Sequence, residues 1–232
     1  MNRFIASLPA DARELLEKDL HVVQLKKGDV LYRIDEPITH VFFPHGGLVS
    51  LVVLMESGQT AEVSLIGREG LVCSGVVLGV EDAIDQATVE VGSPASCISS
   101  ASFIRAYHSH DKLRTIVNRH HAMFIAEGRQ STACNAVHTA SERLCRWLAN
   151  AQDQSGMDDL EITQEFLARM VGVQRTTVNQ LCGVLHAEGI IDTSRGHIRI
   201  LQPEALRSRA CECYGVLRKR FAKLFPDWRP DS

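Results

Sequence analysis

The sequence has 232 residues, of which 45% are hydrophobic and 23% charged, and a formal net charge of −3. That length fits one or two domains with a buried core, and the balance of apolar to charged residues excludes wholesale disorder. A mildly acidic chain is no polybasic coat for nucleic acid, but net charge leaves room for a local reading surface.

The amino terminus is interrupted by Arg3, Pro9, Asp11 and Arg13 and does not read as a signal peptide. Asp11 to Asp19 reads as a leading helix with Leu15 and Leu16 inward. From about Val22 to Ser99, short apolar runs alternate with turn residues: Lys26-Lys27-Gly28-Asp29, Asp35-Glu36-Pro37, His45-Gly46-Gly47, Ser57-Gly58 and Gly92-Ser93-Pro94. The runs between them, Val30 to Tyr32, Val41 to Phe43, Leu48 to Met55, Ala61 to Ile66 and Ala87 to Val91, are rich in β-branched and aromatic residues. Such spacing predicts an all-β sandwich or barrel. The longest apolar run, Leu48 to Met55, falls far short of the roughly 20 residues a membrane helix needs. The expected location is the cytoplasm, with no membrane partner.

After Ser100 the punctuation stops. Asp111 to about Gln152 holds no proline and a single glycine, Gly128, which predicts two helices with a break near His138 to Ser141. Asp111 is positioned to cap the first helix. Leu113, Ile116, Val117, His120, Phe124, Glu127, Ser131 and Cys134 approximate a heptad seam along it, apolar early and polar later. In the second helix Leu144, Trp147 and Leu148 share a face, and Gln152 to Gly156 reads as a loop.

The segment Glu161 to Leu201 carries the chemistry. Thr163 is a good helix N-cap with Glu165 beside the helix's positive end. Leu167, Met170 and Val171 form an apolar stripe, Gly172 ends the helix in a tight turn, and Val178, Leu181 and Leu185 mark the inner face of the next. That second helix must display Arg175, Thr176, Asn179, Gln180 and Gly183. Helix, three-residue turn and helix is a helix-turn-helix, whose second helix enters a major groove. Arginine can make two bonds to guanine O6 and N7, and asparagine or glutamine can do so to adenine N6 and N7. Thr163, Gln164 and Thr177 suit phosphate contacts. Ile190 to Thr193 and His197 to Ile200 flank Ser194-Arg195-Gly196, a hairpin wing with Arg195 at its tip. The candidate DNA-binding residues are thus Thr163, Gln164, Arg175, Thr176, Thr177, Asn179, Gln180 and Arg195. The bland alternative is an amphipathic helical hairpin whose polar face meets water. The tail from Pro203 onward is net basic, and a helix packed on the winged unit is expected there in preference to extra phosphate contacts.

Seven cysteines are scattered along the chain. The odd count argues against a disulfide scaffold. Cys211-x-Cys213 is the sole close pair, and without a second cluster near it in sequence it reads as reduced thiols on a helix. No metal site and no cofactor are expected. The spacing of Cys182 with Val178 and Leu185 makes it an inward, inert thiol.

Thr163 to Val178 resembles the helix-turn-helix of the cyclic-AMP receptor protein/FNR (Crp/Fnr) family of bacterial transcription regulators. Leu185 to Ile191 and Arg195 to Ile200 look like that family's helix end and wing. Lys27-Gly28-Asp29, Gly47 to Ser50 and Ile66 to Gly70 look like its β-roll turns, and Ser141 to Leu148 is similar to its linking helix. The resemblance implies an α+β chain of three parts. These are an amino-terminal β-roll of cyclic-nucleotide-binding-like, jelly-roll type over 1–110, a long dimerisation helix over 111–138, and a carboxy-terminal winged helix-turn-helix with helical tail over 139–232. It implies a homodimer on a palindromic double-stranded DNA operator, RNA polymerase as a further contact, and no catalysis.

The sequence departs from the family in its sensors. Nucleotide-binding members carry a Gly-Glu pair followed by Arg-Ser or Arg-Thr in the β-roll. The corresponding stretch here is Ile84-Asp85-Gln86-Ala87-Thr88, with no arginine between Arg68 and Arg105. Asp85 would repel a phosphate, so cyclic AMP is not the expected effector. FNR-type members hold an iron–sulfur cluster through amino-terminal cysteines, and no cysteine precedes Cys73 here. None of His21, His40, His45, His120 and His121 is expected as a haem ligand. The effector is an unidentified small molecule, or the β-roll is a structural support. On the reading helix, Thr176 and Gln180 stand where many members have glutamate and a second arginine, so the half-site should differ. Two other classes fit the sequence less well. A cupin-like metal enzyme fails because the sole His-x-His, His108 to His110, lies outside the strands. A protein-binding module would lack salt-sensitive DNA binding.

Overall fold

A computed structural model describes residues 1–58 and 60–226. The last positions of the expected carboxy-terminal unit, 227–232, lie outside the described residues. Two short helices, α1 (Arg3–Ser7) and α2 (Ala10–Glu17), precede the strands. The leading helix is therefore shorter than expected and has a second before it. Pro9, at the N-cap of α2, separates them.

Seven strands follow: β1 (His21–Leu25), β2 (Val30–Tyr32), β3 (His40–Pro44), β4 (Leu48–Leu54), β5 (Thr60–Ile66), β6 (Gln86–Val91) and β7 (Ser93–Ser99). They form two antiparallel sheets of order β1-β7-β3 and β2-β6-β4-β5. Gly92-Ser93-Pro94, expected as a turn, instead leads into the central strand of the first sheet. Pro94 fits because it sits near the strand's end, where it pairs with Gln24 of β1, and its carbonyl accepts from the His45 amide at 2.9 Å. Phe43, fully buried, stacks on Phe4 at 5.9 Å and meets Phe103 edge-on at 6.0 Å, tying α1 and α3 (Ser100–Ser109) to the roll. Phe43→Ala should lower stability by about 3–5 kcal/mol, read as a fall in the urea midpoint.

The apolar run of β4 is buried on both faces. Val49 and Leu51 join the interior of the roll, whereas Leu48 joins the core of the carboxy-terminal unit together with Leu65 and Val91. A half-solvated strand would have alternated; this one has two cores to fill.

The helix α4 (Asp111–Val137) is capped by His110, whose ring nitrogen accepts from the Leu113 amide at 3.3 Å. The expected cap, Asp111, is instead the first helical residue, and its carboxylate pairs with Arg114. The break after α4 has a local cause. Thr139 and Glu142 form a capping box that starts α5 (Ala140–Ser155), so the chain changes direction at His138–Thr139.

The heptad seam read from sequence turns out to face its own chain. Leu113 and Val117 lie in the core of the roll, Ile116 and Phe124 pack against it, and Cys134 is buried beside Cys211 and Cys213. Asn118, Ala122, Ile125, Arg129, Thr132 and Ala136 are exposed instead, at alternating four- and three-residue spacing.

The carboxy-terminal unit comprises β8 (Asp159–Leu160), α6 (Gln164–Val171), α7 (Arg175–Ala187), β9 (Ile191–Ser194), β10 (His197–Ile200), α8 (Pro203–Arg209) and α9 (Cys213–Leu224). The strands order as β8-β10-β9. The basic tail is helical and packs on two partners. In α8, Arg207 pairs with Asp153 of α5 at 3.0 Å; in α9, Leu217 packs with Met123 of α4. At Gly67 the roll touches α5 so closely that a Cβ would lie 2.3 Å from the Gln154 carbonyl oxygen. The Arg68 amide donates to that same oxygen at 2.9 Å. Nearby, the Trp147 indole N–H donates to Glu62 of β5 at 3.0 Å.

Candidate nucleic-acid interface

The helix pair α6–α7 is set by its apolar faces and one turn. Phe166, Leu167 and Val171 of α6 pack with Val178, Cys182 and Leu185 of α7 over Leu144 and Leu148 of α5. Gly172 ends α6 at φ +69°, a left-handed conformation that a side chain would resist, and the Val173 amide returns to the Ala168 carbonyl at 3.0 Å. Thr163 caps α6 by accepting from the Phe166 amide at 3.1 Å.

This packing leaves Arg175, Thr176, Asn179 and Gln180 exposed on the outer face of α7, with Thr177 half-buried. Gln174 supplies no side-chain cap to α7, so its first amides point outward with the positive end of the helix. The wing folds back beside them. Arg195 is exposed at the tip of β9–β10, and Asp159 of β8 braces the wing through Arg199 at 2.8 Å and His197 at 3.4 Å. The hydrogen bond from Arg199 holds the Asp159 carboxyl below its ordinary range.

A cleft of about 470 Å³ lies between the starts of α6 and α7 and the wing. Thr163, Gln164, Arg175 and Arg195 all line it, so the fold gathers half of the sequence-predicted residues around one concavity. Thr176, Thr177, Asn179 and Gln180 are not in its lining. Ser194 and His197 also line the cleft and were not singled out from sequence. Their position on either side of Arg195-Gly196 was the available signal. Hydroxyls, helix amides and two guanidinium groups around one groove can grip a phosphate backbone, and an exposed polar helix face beside it can reach base edges.

Cys182 is buried, and burial followed by the neighbouring Cys145 pushes its thiol up to about 11. A reactive cysteine needs the opposite shift. In the β-roll, the Tyr32 hydroxyl donates to Asp85 at 2.8 Å. Burial raises the Asp85 carboxyl above its usual range, against the hydrogen bond from Tyr32, which lowers it. As expected from Ile84 to Thr88, the stretch matching the family's phosphate-binding pair presents a carboxyl and no cation.

A second cavity, of about 580 Å³, is shared by β5, α4, α5 and α9 and contains Glu62, Glu69, Glu127 and Arg146. Burial dominates the titration of the three carboxyls. Glu62 and Glu127 are pushed up to about 8 and Glu69 to about 7, while outside this lining burial pushes His120, half-buried against Phe4 and Gly70, down to about 3. For the three carboxyls, a raised folded-state pKa gives stability that is full below the unfolded value of 4.5 and lost as pH rises through 7 to 8. His120 opposes this below its unfolded value of 6.5, since only the unfolded chain then takes up its proton. His121 and His45, also lowered by burial, act the same way, but the carboxyls titrate above the histidines' range, so the melting temperature should rise as pH falls from about 8 to about 6.5. Glu62→Gln with Glu127→Gln should flatten that slope; an unchanged slope would mean that these groups are not the source.

Two family descriptions match the chain: "Crp-like helix-turn-helix domain" over residues 142–209 and "Cyclic nucleotide-binding domain" over residues 22–110. No curated protein sequence matches. Among solved structures, a transcriptional regulator of the Crp/Fnr family from Eubacterium rectale is 16% identical with a TM-score of 0.66, covering 88% of this chain and 95% of its own. FixK2 from Bradyrhizobium japonicum is 15% identical with a TM-score of 0.68, covering 83% and 98%. A Crp/Fnr-family regulator from Thermus thermophilus is 23% identical with a TM-score of 0.64, covering 82% and 98%. At these identities the likeness is one of fold.

Proposed function

Because the chain belongs to the Crp/Fnr family of transcription regulators, we propose that it works as a homodimer whose paired α7 helices read a palindromic operator. The observation that carries this reading is the cleft joining Thr163, Gln164, Arg175 and Arg195 beside the exposed face of α7. Arg175 is assigned to guanine, Asn179 and Gln180 to adenine or to either base edge, and Thr176 to a hydroxyl contact. Thr163, Gln164, Thr177 and Arg195 are assigned to phosphates. The division into a β-roll over 1–110, a dimerisation helix over 111–138 and a DNA-binding unit over 139–232 belongs to the same proposal.

For the dimer, the exposed row Asn118, Ala122, Ile125, Arg129, Thr132 and Ala136 replaces the inward seam expected from sequence. Its four-three spacing keeps one edge of α4 against a twin, and its small residues permit close approach. A twofold partner sets two α7 helices about 34 Å apart, one turn of DNA. The chain acts without catalysis, in the cytoplasm, with RNA polymerase as the further partner its family implies. Among the described residues no helix is long and apolar enough to cross a membrane. The effector is not a cyclic nucleotide held in the family's manner. The cavity holding Glu62, Glu69 and Glu127 touches both the roll and α5, which makes it the candidate place for a small ligand that shifts one against the other.

The test is selection of bound sequences from a random duplex pool by the purified protein at fixed salt. An enriched palindrome with half-sites one helical turn apart is the expected result. No enrichment, with or without cell extract, would overturn the reading.

A further inference from the structure

Cys134 and His138 stand four residues apart at the end of α4, and Cys211 and Cys213 stand where α8 passes into α9. The fold brings these distant segments together. One donor atom from each of the four residues lies within 4.8 Å of every other. The Cys134 and Cys211 sulfurs are 3.5 Å apart, and His138 Nδ1 is 3.6 Å from the Cys213 sulfur. Around a tetrahedral zinc ion, neighbouring sulfurs sit ~3.8 Å apart and a sulfur and an imidazole nitrogen ~3.5 Å apart. Cys211 precedes α9 rather than lying on a helix, which turns its thiol toward Cys134 instead of along the helix face.

We infer that Cys134, His138, Cys211 and Cys213 form a closed, four-coordinate site for a soft divalent ion, zinc being the best fit. Three thiols and one imidazole are the donor set of structural zinc sites, and their close spacing encloses one ion rather than a cluster. The surroundings match that role. Gln130 donates to the Cys213 sulfur at 3.0 Å, and the second nitrogen of His138 faces Glu212 at 4.0 Å. A carboxylate behind a ligating histidine orients the ring and raises its basicity. The three sulfurs are buried, so the site is shielded from solvent. His138 closes α4 and Thr139 opens α5, so the bound ion fixes the bend between them and pins the tail to it. This inference goes beyond the DNA reading and does not depend on it.

The full chain, purified with reductant and stripped by chelator, is titrated with Zn²⁺ or Co²⁺ and passed through gel filtration. We expect one ion retained per chain and a cobalt spectrum with thiolate charge transfer and tetrahedral ligand-field bands. Zinc should raise the melting temperature and protect three thiols from alkylation. Cys213→Ser should lose the ion, Cys182→Ser should keep it, and His138→Cys should keep a tetrahedral ion with stronger charge transfer. Retention undiminished in Cys213→Ser, an octahedral cobalt spectrum, or a Cys134–Cys211 disulfide as the sole product would each overturn the site.

Discussion

Arg175→Ala is expected to lower affinity for the selected operator by about 2–6 kcal/mol, because the proposed dimer would carry the change twice and each bidentate arginine–guanine pair is worth about 1–3 kcal/mol. Arg175 is exposed at the start of α7, and its guanidinium serves no core contact, so the fold should be untouched. Binding is followed by fluorescence anisotropy on the operator and on a scrambled duplex. The variant should lose most of its preference for the operator while keeping its weak binding to the scrambled duplex. Arg195→Ala provides the contrast. A phosphate contact at the wing should weaken both duplexes alike and reduce the slope of log affinity against log salt by about one per half-site. Equal operator affinity in Arg175→Ala and the parent would remove α7 as the reading element.

Ile125→Glu should convert the proposed dimer to a folded monomer. Ile125 is 53% exposed in the single chain, so the charge costs the monomer little, yet it lies in the middle of the exposed row on α4. Two opposed glutamates in a desolvated seam would repel each other. Loss of the second half-site should then cut operator affinity by about 10²–10⁴-fold, the gain that linking two modules confers. Sedimentation velocity and circular dichroism measure the two halves of the expectation. A variant that stays dimeric would place the interface elsewhere. Leu113→Glu, by contrast, should unfold the chain, since Leu113 is fully buried in the core of the roll.

The helix-turn-helix and wing were legible because their signals are local. The Thr163 cap, the Gly172 turn and the inward Val178 and Leu185 each act within a few residues, and their faces follow from helical period alone. The same local reasoning failed where burial has two sources. On α4 one apolar stripe packs on the roll and another edge stays exposed, and a heptad search finds the stronger stripe without knowing what it faces. The central strand β7 was missed because Pro94 is a turn signal that the strand tolerates near its end. The grouping of Cys134 and His138 with Cys211 and Cys213 was invisible because the pairs lie far apart in sequence. Cys-x₃-His across the break after α4 and Cys211-x-Cys213 are the two local hints, and nothing in the sequence joins them.

Leu48, Leu65 and Val91 belong to strands of the roll but fill the core of the reading unit, and Gly67 admits the Gln154 carbonyl where no side chain would fit. The reading unit is therefore not a detachable module. Cut away at the bend before α5, it would expose the apolar patch those three residues cover, and the excised piece would melt early or self-associate. In the intact chain the two halves should therefore melt in one cooperative transition, and a ligand that loosens the roll should be felt in the helix-turn-helix without a separate relay between them.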